Sequence, residues 1–89
     1  MKGMLFMSYR EKLRAFPDGA QEVLFEGKRW LMRKETHLGG RLIKLYAEEL
    51  GGNDFVSLNY YETASAPLLK PCEMPAEKVI TFIEKATLP

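Results

Sequence analysis

The sequence predicts an α+β fold in which an antiparallel meander sheet of four or five strands lies between a short N-terminal helix and a C-terminal helix. Three observations support this fold class. The 89 residues suffice for a single domain with one hydrophobic core. The middle of the chain alternates apolar and polar residues with a period of two, between turns rich in Gly and Asn. The C-terminal end carries an apolar stripe with helical spacing.

The first predicted element is a short helix over residues 8–16. Ser8-Tyr9-Arg10-Glu11 matches the capping box, in which the Ser hydroxyl and the Glu carboxylate each bond to a backbone N–H that the helix leaves unpaired. The helix should end at Phe16, because Pro17-Asp18-Gly19 favours a turn. Leu13 and Phe16 then fall on one side of the helix, as expected for a helix that packs on a core.

The strands follow from the change of period at Gln21. Four strands are predicted, at residues 21–26, 29–36, 41–50 and 55–62, and residues 68–70 are expected to add a short edge strand. The predicted turns between them are Gly27-Lys28, Leu38-Gly39-Gly40 and Gly51-Gly52-Asn53-Asp54. Gly and Asn tolerate the positive φ angles of tight turns, so these segments favour hairpins.

The last predicted element is a helix that begins near Pro75 and runs to about Thr87. Pro is common at the first helical position because its missing N–H has no partner there in any case. The residues that should face the core are Val79, Ile80, Phe82, Ile83 and Ala86. Glu77 near the start and Lys85 near the end fit the direction of the helix dipole.

The composition indicates the cellular compartment in which we expect the protein. With 46% hydrophobic and 28% charged residues, it has the balance of a folded globular protein. Cys72 is the only cysteine, so no intramolecular disulfide can form, which favours a reducing compartment. Residues 1–7 are too short for the apolar region of a signal peptide, and no apolar run approaches bilayer length. We therefore expect a cytoplasmic protein with no membrane partner.

The strand alternation predicts that one side of the sheet stays uncovered by helices. If the core takes Val23, Phe25, Ile43 and Leu45 and their equivalents on the fourth strand, the other side shows the alternate residues. Those residues are Lys44, Tyr46, Phe55, Ser57, Asn59 and Tyr61. The second strand is ambiguous, because Trp30 and Met32 compete with Leu31 for the core. If Trp30 and Met32 point inward, the uncovered side gains Arg29, Leu31 and Arg33.

Positive charge is concentrated in residues 28–44 of the sequence. Six basic residues lie between Lys28 and Lys44 against one acid, Glu35, a net charge of +5 in a chain whose total is +1. Basic residues interleaved with aromatic rings on one side of a sheet can neutralise phosphates while single-stranded bases stack. The alternative interpretation is an ordinary solvated face of an antiparallel sheet.

Part of the chain resembles a repeat of the Pur-alpha family. The residues that carry the resemblance are Lys28-Arg29-Trp30, Lys34-Glu35, Gly40-Arg41, Lys44-Leu45, Glu48 and Gly51-Gly52-Asn53, within residues 20–60. Such repeats, like the similar-looking Whirly domains, have four antiparallel strands followed by a helix and bind single-stranded DNA or RNA. The family builds a domain from two repeats, so for this chain the resemblance implies a homodimer. The chain departs from the pattern by its first helix and by the insertion at residues 61–69.

The resemblance also implies site residues. Carried over by position, Lys28, Arg29, Lys34, Arg41 and Lys44 would contact phosphates and Tyr46 would stack on a base. With the residues from the strand alternation, the complete set expected to bind nucleic acid is Lys28, Arg29, Arg33, Lys34, Arg41, Lys44, Tyr46, Asn59 and Tyr61. No cofactor is expected.

Two alternatives belong to other classes of protein. Cys72 precedes the last helix, whose N-terminus could activate a thiol for redox chemistry such as reduction of an oxidised methionine. Glu73 beside it opposes this, and His37 could act as the base only if the fold brings it close. Phe55, Tyr46 and Tyr61 could instead form the apolar patch of a protein-interaction module.

Other chemistries lack the residues they need. One His and one Cys cannot supply the usual zinc ligands without carboxylates. Gly39-Gly40 and Gly51-Gly52 have neither the spacing nor the following helix of a phosphate-binding loop. The sequence therefore favours a binding protein over an enzyme.

Overall fold

The computed structural model describes residues 8–63 and 65–89 and arranges them as helix, five-stranded sheet and helix. The elements are α1 (Tyr9–Ala15), β1 (Gly19–Phe25), β2 (Lys28–His37), β3 (Leu42–Glu49), β4 (Phe55–Glu62), β5 (Pro67–Pro71) and α2 (Ala76–Lys85). A single 3-10 turn, Leu38–Gly40, joins β2 to β3. The sheet order is β1-β2-β3-β4-β5, and every neighbouring pair is antiparallel. The predicted α+β meander is confirmed, with the fifth strand present. The predicted absence of a signal peptide concerns residues 1–7, which lie outside the described residues.

The predicted capping box closes the start of α1. The Ser8 hydroxyl accepts from the Glu11 backbone N–H at 3.3 Å, and the Ser8 N–H donates to the Glu11 carboxylate at 3.2 Å. These bonds satisfy donors that the first helical turn cannot pair internally. The buried side chains of Leu13, within α1, and of Phe16, its C-cap, anchor the helix to the sheet.

The first hairpin turns one residue earlier than predicted. Phe25 pairs with Lys28, so Glu26 and Gly27 form the two-residue loop, with φ angles of 53° and 76°. Two consecutive positive φ angles define the type I′ turn, whose twist matches that of the flanking strands. The turn therefore lies at Glu26-Gly27, one position before the predicted turn at Gly27-Lys28.

Both helices pack on the same side of the sheet and form the core with it. The fully buried side chains include Met32, Leu58 and Tyr60 from the strands and Phe82 and Ile83 from α2. The core residues are Leu13, Phe16, Val23, Phe25, Trp30, Met32, Ile43, Leu45, Ala47, Val56, Leu58, Tyr60, Val79, Phe82, Ile83 and Ala86. This resolves the ambiguity in the second strand, because Trp30 and Met32 point inward.

The two edges of the sheet are covered to different degrees. β5 begins and ends with proline, which cannot donate to another strand. At the opposite edge, Leu24 of β1 exchanges backbone hydrogen bonds with Thr87, at 2.8 and 2.9 Å. α2 starts after Pro75, which occupies the N-cap. Within residues 8–63 and 65–89, no helix is both long and apolar enough to span a membrane.

Candidate nucleic-acid interface

The side of the sheet opposite the helices, called the open face below, consists of the alternate residues of all five strands. Its members are Ala20, Glu22 and Leu24 of β1, Arg29, Leu31, Arg33, Glu35 and His37 of β2, Leu42, Lys44, Tyr46 and Glu48 of β3, Phe55, Ser57, Asn59 and Tyr61 of β4, and Leu68 and Lys70 of β5. No helix of the described chain covers it. The predicted uncovered side is therefore present in the structure.

Strand register sorts these side chains into rows that cross the sheet. One row contains Arg33, Tyr46 and Ser57, and the next contains Glu35, Lys44, Asn59 and Lys70. Neighbouring strands lie about 4.8 Å apart, so side chains within a row are in reach of one another. A shallow depression of ≈ 270 Å³ lies between these two rows.

Three cations on the open face are available for a ligand. Within the part of the chain that the structure describes, Arg33, Lys44 and Lys70 make no ion pair or side-chain hydrogen bond. Arg29 differs, because its guanidinium donates to both carboxylate oxygens of Glu22, at 2.5 and 3.0 Å. The hydrogen bond from Arg29 holds the pKa of Glu22 below its usual value, so this pair is already neutralised.

Two aromatic rings share the open face with these cations. Tyr46 and Phe55 stack with their ring centroids 6.1 Å apart and an interplanar angle of 29°. They are 45% and 43% exposed, so part of each ring surface is open to a ligand. Tyr61 lies on the same face toward its other end and is half-buried. The arrangement combines planar apolar surface with unpaired positive charge.

Lys34 was predicted to contact phosphate, and the structure contradicts this. It follows the alternation of Trp30 and Met32 and points to the helix side, where it is 3% exposed. Its ammonium donates to the backbone carbonyls of Phe16 at 2.6 Å and Arg14 at 2.9 Å. Burial lowers the pKa of this ammonium group, although it stays hydrogen-bonded. Lys34 therefore closes the end of α1 instead of contacting a ligand.

Lys28 and Arg41 are exposed, but they do not belong to the open face. Lys28 follows the alternation of the core residues of β2, and Arg41 lies just before β3 as the C-cap of the 3-10 turn. The Lys28 ammonium pairs with Glu49 at 3.4 Å, and Arg41 Nε donates to the Leu38 carbonyl at 3.2 Å. Lys70, which the sequence prediction omitted, does lie on the open face, because β5 pairs with β4 in a register that places Lys70 beside Asn59.

The structure does not bring together the residues of the thiol alternative. Cys72 is exposed, and its N–H donates to the Ser57 carbonyl at 2.9 Å, beside β4. It lies before Pro75, the N-cap of α2, and so stands outside the first helical turn. His37 lies at the far end of β2, where its ring bonds to Glu35 at 3.1 Å. β3 and β4 separate this position from Cys72.

Residues 8–63 and 65–89 contain no group of three His, Cys, Asp or Glu side chains placed to hold a metal ion. Comparison with known protein families, with characterised proteins and with solved structures finds no match.

Proposed function

We propose that this chain binds single-stranded nucleic acid through the open face. The observation that supports the proposal is that Arg33 lies directly opposite Tyr46, whose ring stacks on Phe55, while Lys44 and Lys70, also without ion pairs among the described residues, lie in the next row. Phosphates need positive charge that is not already neutralised, and unpaired bases need planar surfaces on which to stack. A duplex keeps its bases paired and stacked, out of reach of the two rings, so the proposal is restricted to single strands.

Each group of side chains has a separate role in this proposal. Arg33, Lys44 and Lys70 contact the phosphates, and Tyr46 with Phe55 carries one or two stacked bases. Asn59 lies between Lys44 and Lys70 in the same row, where its amide can donate to and accept from base edges. Glu35 shares that row, so we expect binding of modest affinity.

A salt titration tests the role of charge. For single strands, the logarithm of the binding constant falls with the logarithm of salt concentration by about 0.7 per contacted phosphate, so three contacts give a slope of about −2. The probe is a fluorescein-labelled oligothymidylate, followed by anisotropy. The double variant Arg33→Gln, Lys44→Gln should flatten the slope to about −0.7, because one phosphate contact remains.

The matched control removes the same charge from the other side of the sheet. The double variant Lys28→Gln, Lys85→Gln changes two exposed cations that do not belong to the open face. It should keep the slope of the unmodified chain. Equal losses in both double variants would show that only net charge matters, and an absence of binding at low salt would overturn the proposal.

We propose that two copies of the chain pair through the free edge of β1. Leu24 directs both its backbone N–H and its carbonyl away from β2, toward Thr87. In an antiparallel strand, Glu22 and Ala20 share this outward direction. The outward backbone N–H and carbonyl groups of Ala20 and Glu22 have no hydrogen-bond partner among the described residues. Pairing of two β1 strands would extend the sheet and place two open faces side by side.

We also propose that the protein functions in the cytoplasm, because its single cysteine is compatible with a reducing compartment.

A further inference from the structure

One carboxylate of the open face lies among its apolar residues. Glu48 of β3 has an apolar neighbour on each side in its row across the sheet, Leu31 of β2 and Phe55 of β4. Leu31 and Phe55 are 40% and 43% exposed, so a ligand can cover this row. Tyr46, two residues before Glu48 on the same strand, stacks its ring on Phe55. Glu48 therefore lies next to the surface on which a base would stack.

The Glu48 carboxylate is exposed and has most of its accepting capacity free. Glu22 on the same face is neutralised by Arg29, but Glu48 forms no ion pair with any residue that the structure describes. Within the described chain, its one side-chain hydrogen bond comes from the Tyr46 hydroxyl at 3.5 Å, which is long for an O–H···O bond. An ionised carboxylate has room for several donors, so Glu48 can accept from a ligand.

A base that stacks on the two rings would bring one of its edges close to this carboxylate. Cytosine and adenine carry an exocyclic amino group, which donates hydrogen bonds, whereas thymine and uracil carry a carbonyl oxygen at the same place. The ring N–H of thymine and uracil is flanked by a carbonyl oxygen on each side. A base that covers Leu31 and Phe55 removes water from Glu48, so the carboxylate needs a donor from the base in its place.

Asn59 cannot make the same distinction between bases. It lies two rows away from Glu48, and its amide offers both donors and an acceptor, so it can pair with either kind of base edge. A carboxylate only accepts, and it repels a carbonyl oxygen that faces it. The base preference of the open face should therefore depend on Glu48.

We propose that Glu48 makes the open face prefer bases with an exocyclic amino group, such as cytosine, over uracil and thymine. This inference rests on the proposed function, because it assigns a base preference to the same site. Tyr46 and Phe55 hold the base by stacking, and Glu48 accepts from its amino group. The phosphate contacts are the same for every base, so oligothymidylate should bind more weakly with an unchanged dependence on salt.

The experiment compares oligodeoxycytidylate and oligodeoxyuridylate of equal length, followed by fluorescence anisotropy at low salt and slightly above neutral pH. The two bases differ in one ring substituent, an amino group in cytosine and a carbonyl oxygen in uracil, and in the ring proton that follows from it. The cytidylate should bind about fivefold more tightly, near the lower end of the discrimination that one base contact provides. Equal binding, or tighter binding of the uridylate, would overturn the base preference and leave the proposed function standing. If neither probe binds, the proposed function fails and the base preference fails with it.

Two variants with the same change of charge test whether Glu48 selects the base. Glu48→Gln replaces the carboxylate with an amide that both donates and accepts, so the two probes should bind with nearly equal affinity. Glu35→Gln removes a carboxylate from the same face in the row of Lys44, away from the rings, and should keep the ratio of the two affinities. Both positions are exposed, so circular dichroism should show folded chains. A ratio that Glu48→Gln leaves unchanged would show that another group selects the base.

Discussion

At the scale of single residues, Lys34 shows how one buried charge can be structural. Its ammonium group bonds to the carbonyls of Arg14 and Phe16, which lie at the end of α1 and would otherwise lack donors. We expect Lys34→Met to lower the free energy of unfolding by about 1–2 kcal/mol, because both carbonyls stay partly buried and lose their partner. Urea denaturation measures this, with Lys85→Met as the exposed control. Unchanged stability would mean that the cost of burying the ammonium cancels its hydrogen bonds.

The hydrogen bonds of the Glu62 carboxylate should make the stability of the fold depend on pH. Its carboxylate accepts from the Arg14 guanidinium at 2.6 Å and from the Tyr60 hydroxyl at 2.9 Å. These bonds, the one from Arg14 foremost, hold its pKa in the folded chain below the usual 4.5. A lowered pKa stabilises the fold above the unfolded-state value, and the contribution is lost as the pH falls through the folded-state value.

The difference in Tm between the unmodified chain and Glu62→Gln should therefore be present at neutral pH and should shrink as the pH falls below 4.5. Thermal unfolding followed by circular dichroism across that range tests it. Glu22 and Asp54 have pKa values shifted in the same direction, so the unmodified chain should also lose stability on acidification. A difference that stays constant with pH would contradict the role of the ionised carboxylate.

At the scale of elements, α2 is held by the face that it buries. Ile83 is fully buried and Ile80 on the same helix is only partly buried. Ile→Val removes one methylene and keeps β-branching, so helix propensity changes little. Ile83→Val should cost about 1 kcal/mol and Ile80→Val clearly less, since the lost methylene is less shielded from water. Urea denaturation with unchanged m-values measures both, and equal losses would place the two side chains in equivalent environments.

The elements also show what sequence patterns could and could not predict. Strand alternation predicted which side of β3 and β4 stays uncovered, because a period of two assigns residues to faces without knowledge of the neighbours. The same alternation placed Lys34 on the side of Trp30 and Met32, but its charge favoured an exposed position, because the carbonyl acceptors at the end of α1 become visible only when the helix is docked. The place of Lys70 also depends on pairing, because the register of β5 with β4 decides which side chains it meets.

At the scale of the whole molecule, the charges of the open face are nearly balanced, as they are in the full chain with its net charge of +1. Four cations, Arg29, Arg33, Lys44 and Lys70, share the face with the carboxylates of Glu22, Glu35 and Glu48. Attraction of phosphates in the proposed function therefore depends on the local positions of the cations without ion pairs among the described residues, and net charge contributes little. The proposed dimer leaves the open face of each copy accessible, because it pairs at the edge of β1.

The dimer itself can be tested by removing one backbone donor at that edge. In an antiparallel pairing of two β1 strands, Ala20 of one copy lies opposite Glu22 of the other, and the two-fold symmetry repeats the contact. Proline is tolerated in an edge strand where its nitrogen faces solvent, so Glu22→Pro should fold and yet fail to pair. It also removes the exposed ion pair with Arg29, a loss that costs little stability.

Glu22→Gln is the matched control for this variant, because it removes the same carboxylate and keeps the backbone N–H. Sedimentation analysis should find dimers for the unmodified chain and for Glu22→Gln, and monomers for Glu22→Pro, with the circular dichroism of all three alike. Because a dimer places two open faces on one extended sheet, the monomeric variant should also bind a long oligonucleotide more weakly than the control, and a short one equally well. If Glu22→Pro remains dimeric, the copies pair through another surface, and if the unmodified chain is monomeric, no dimer forms through β1.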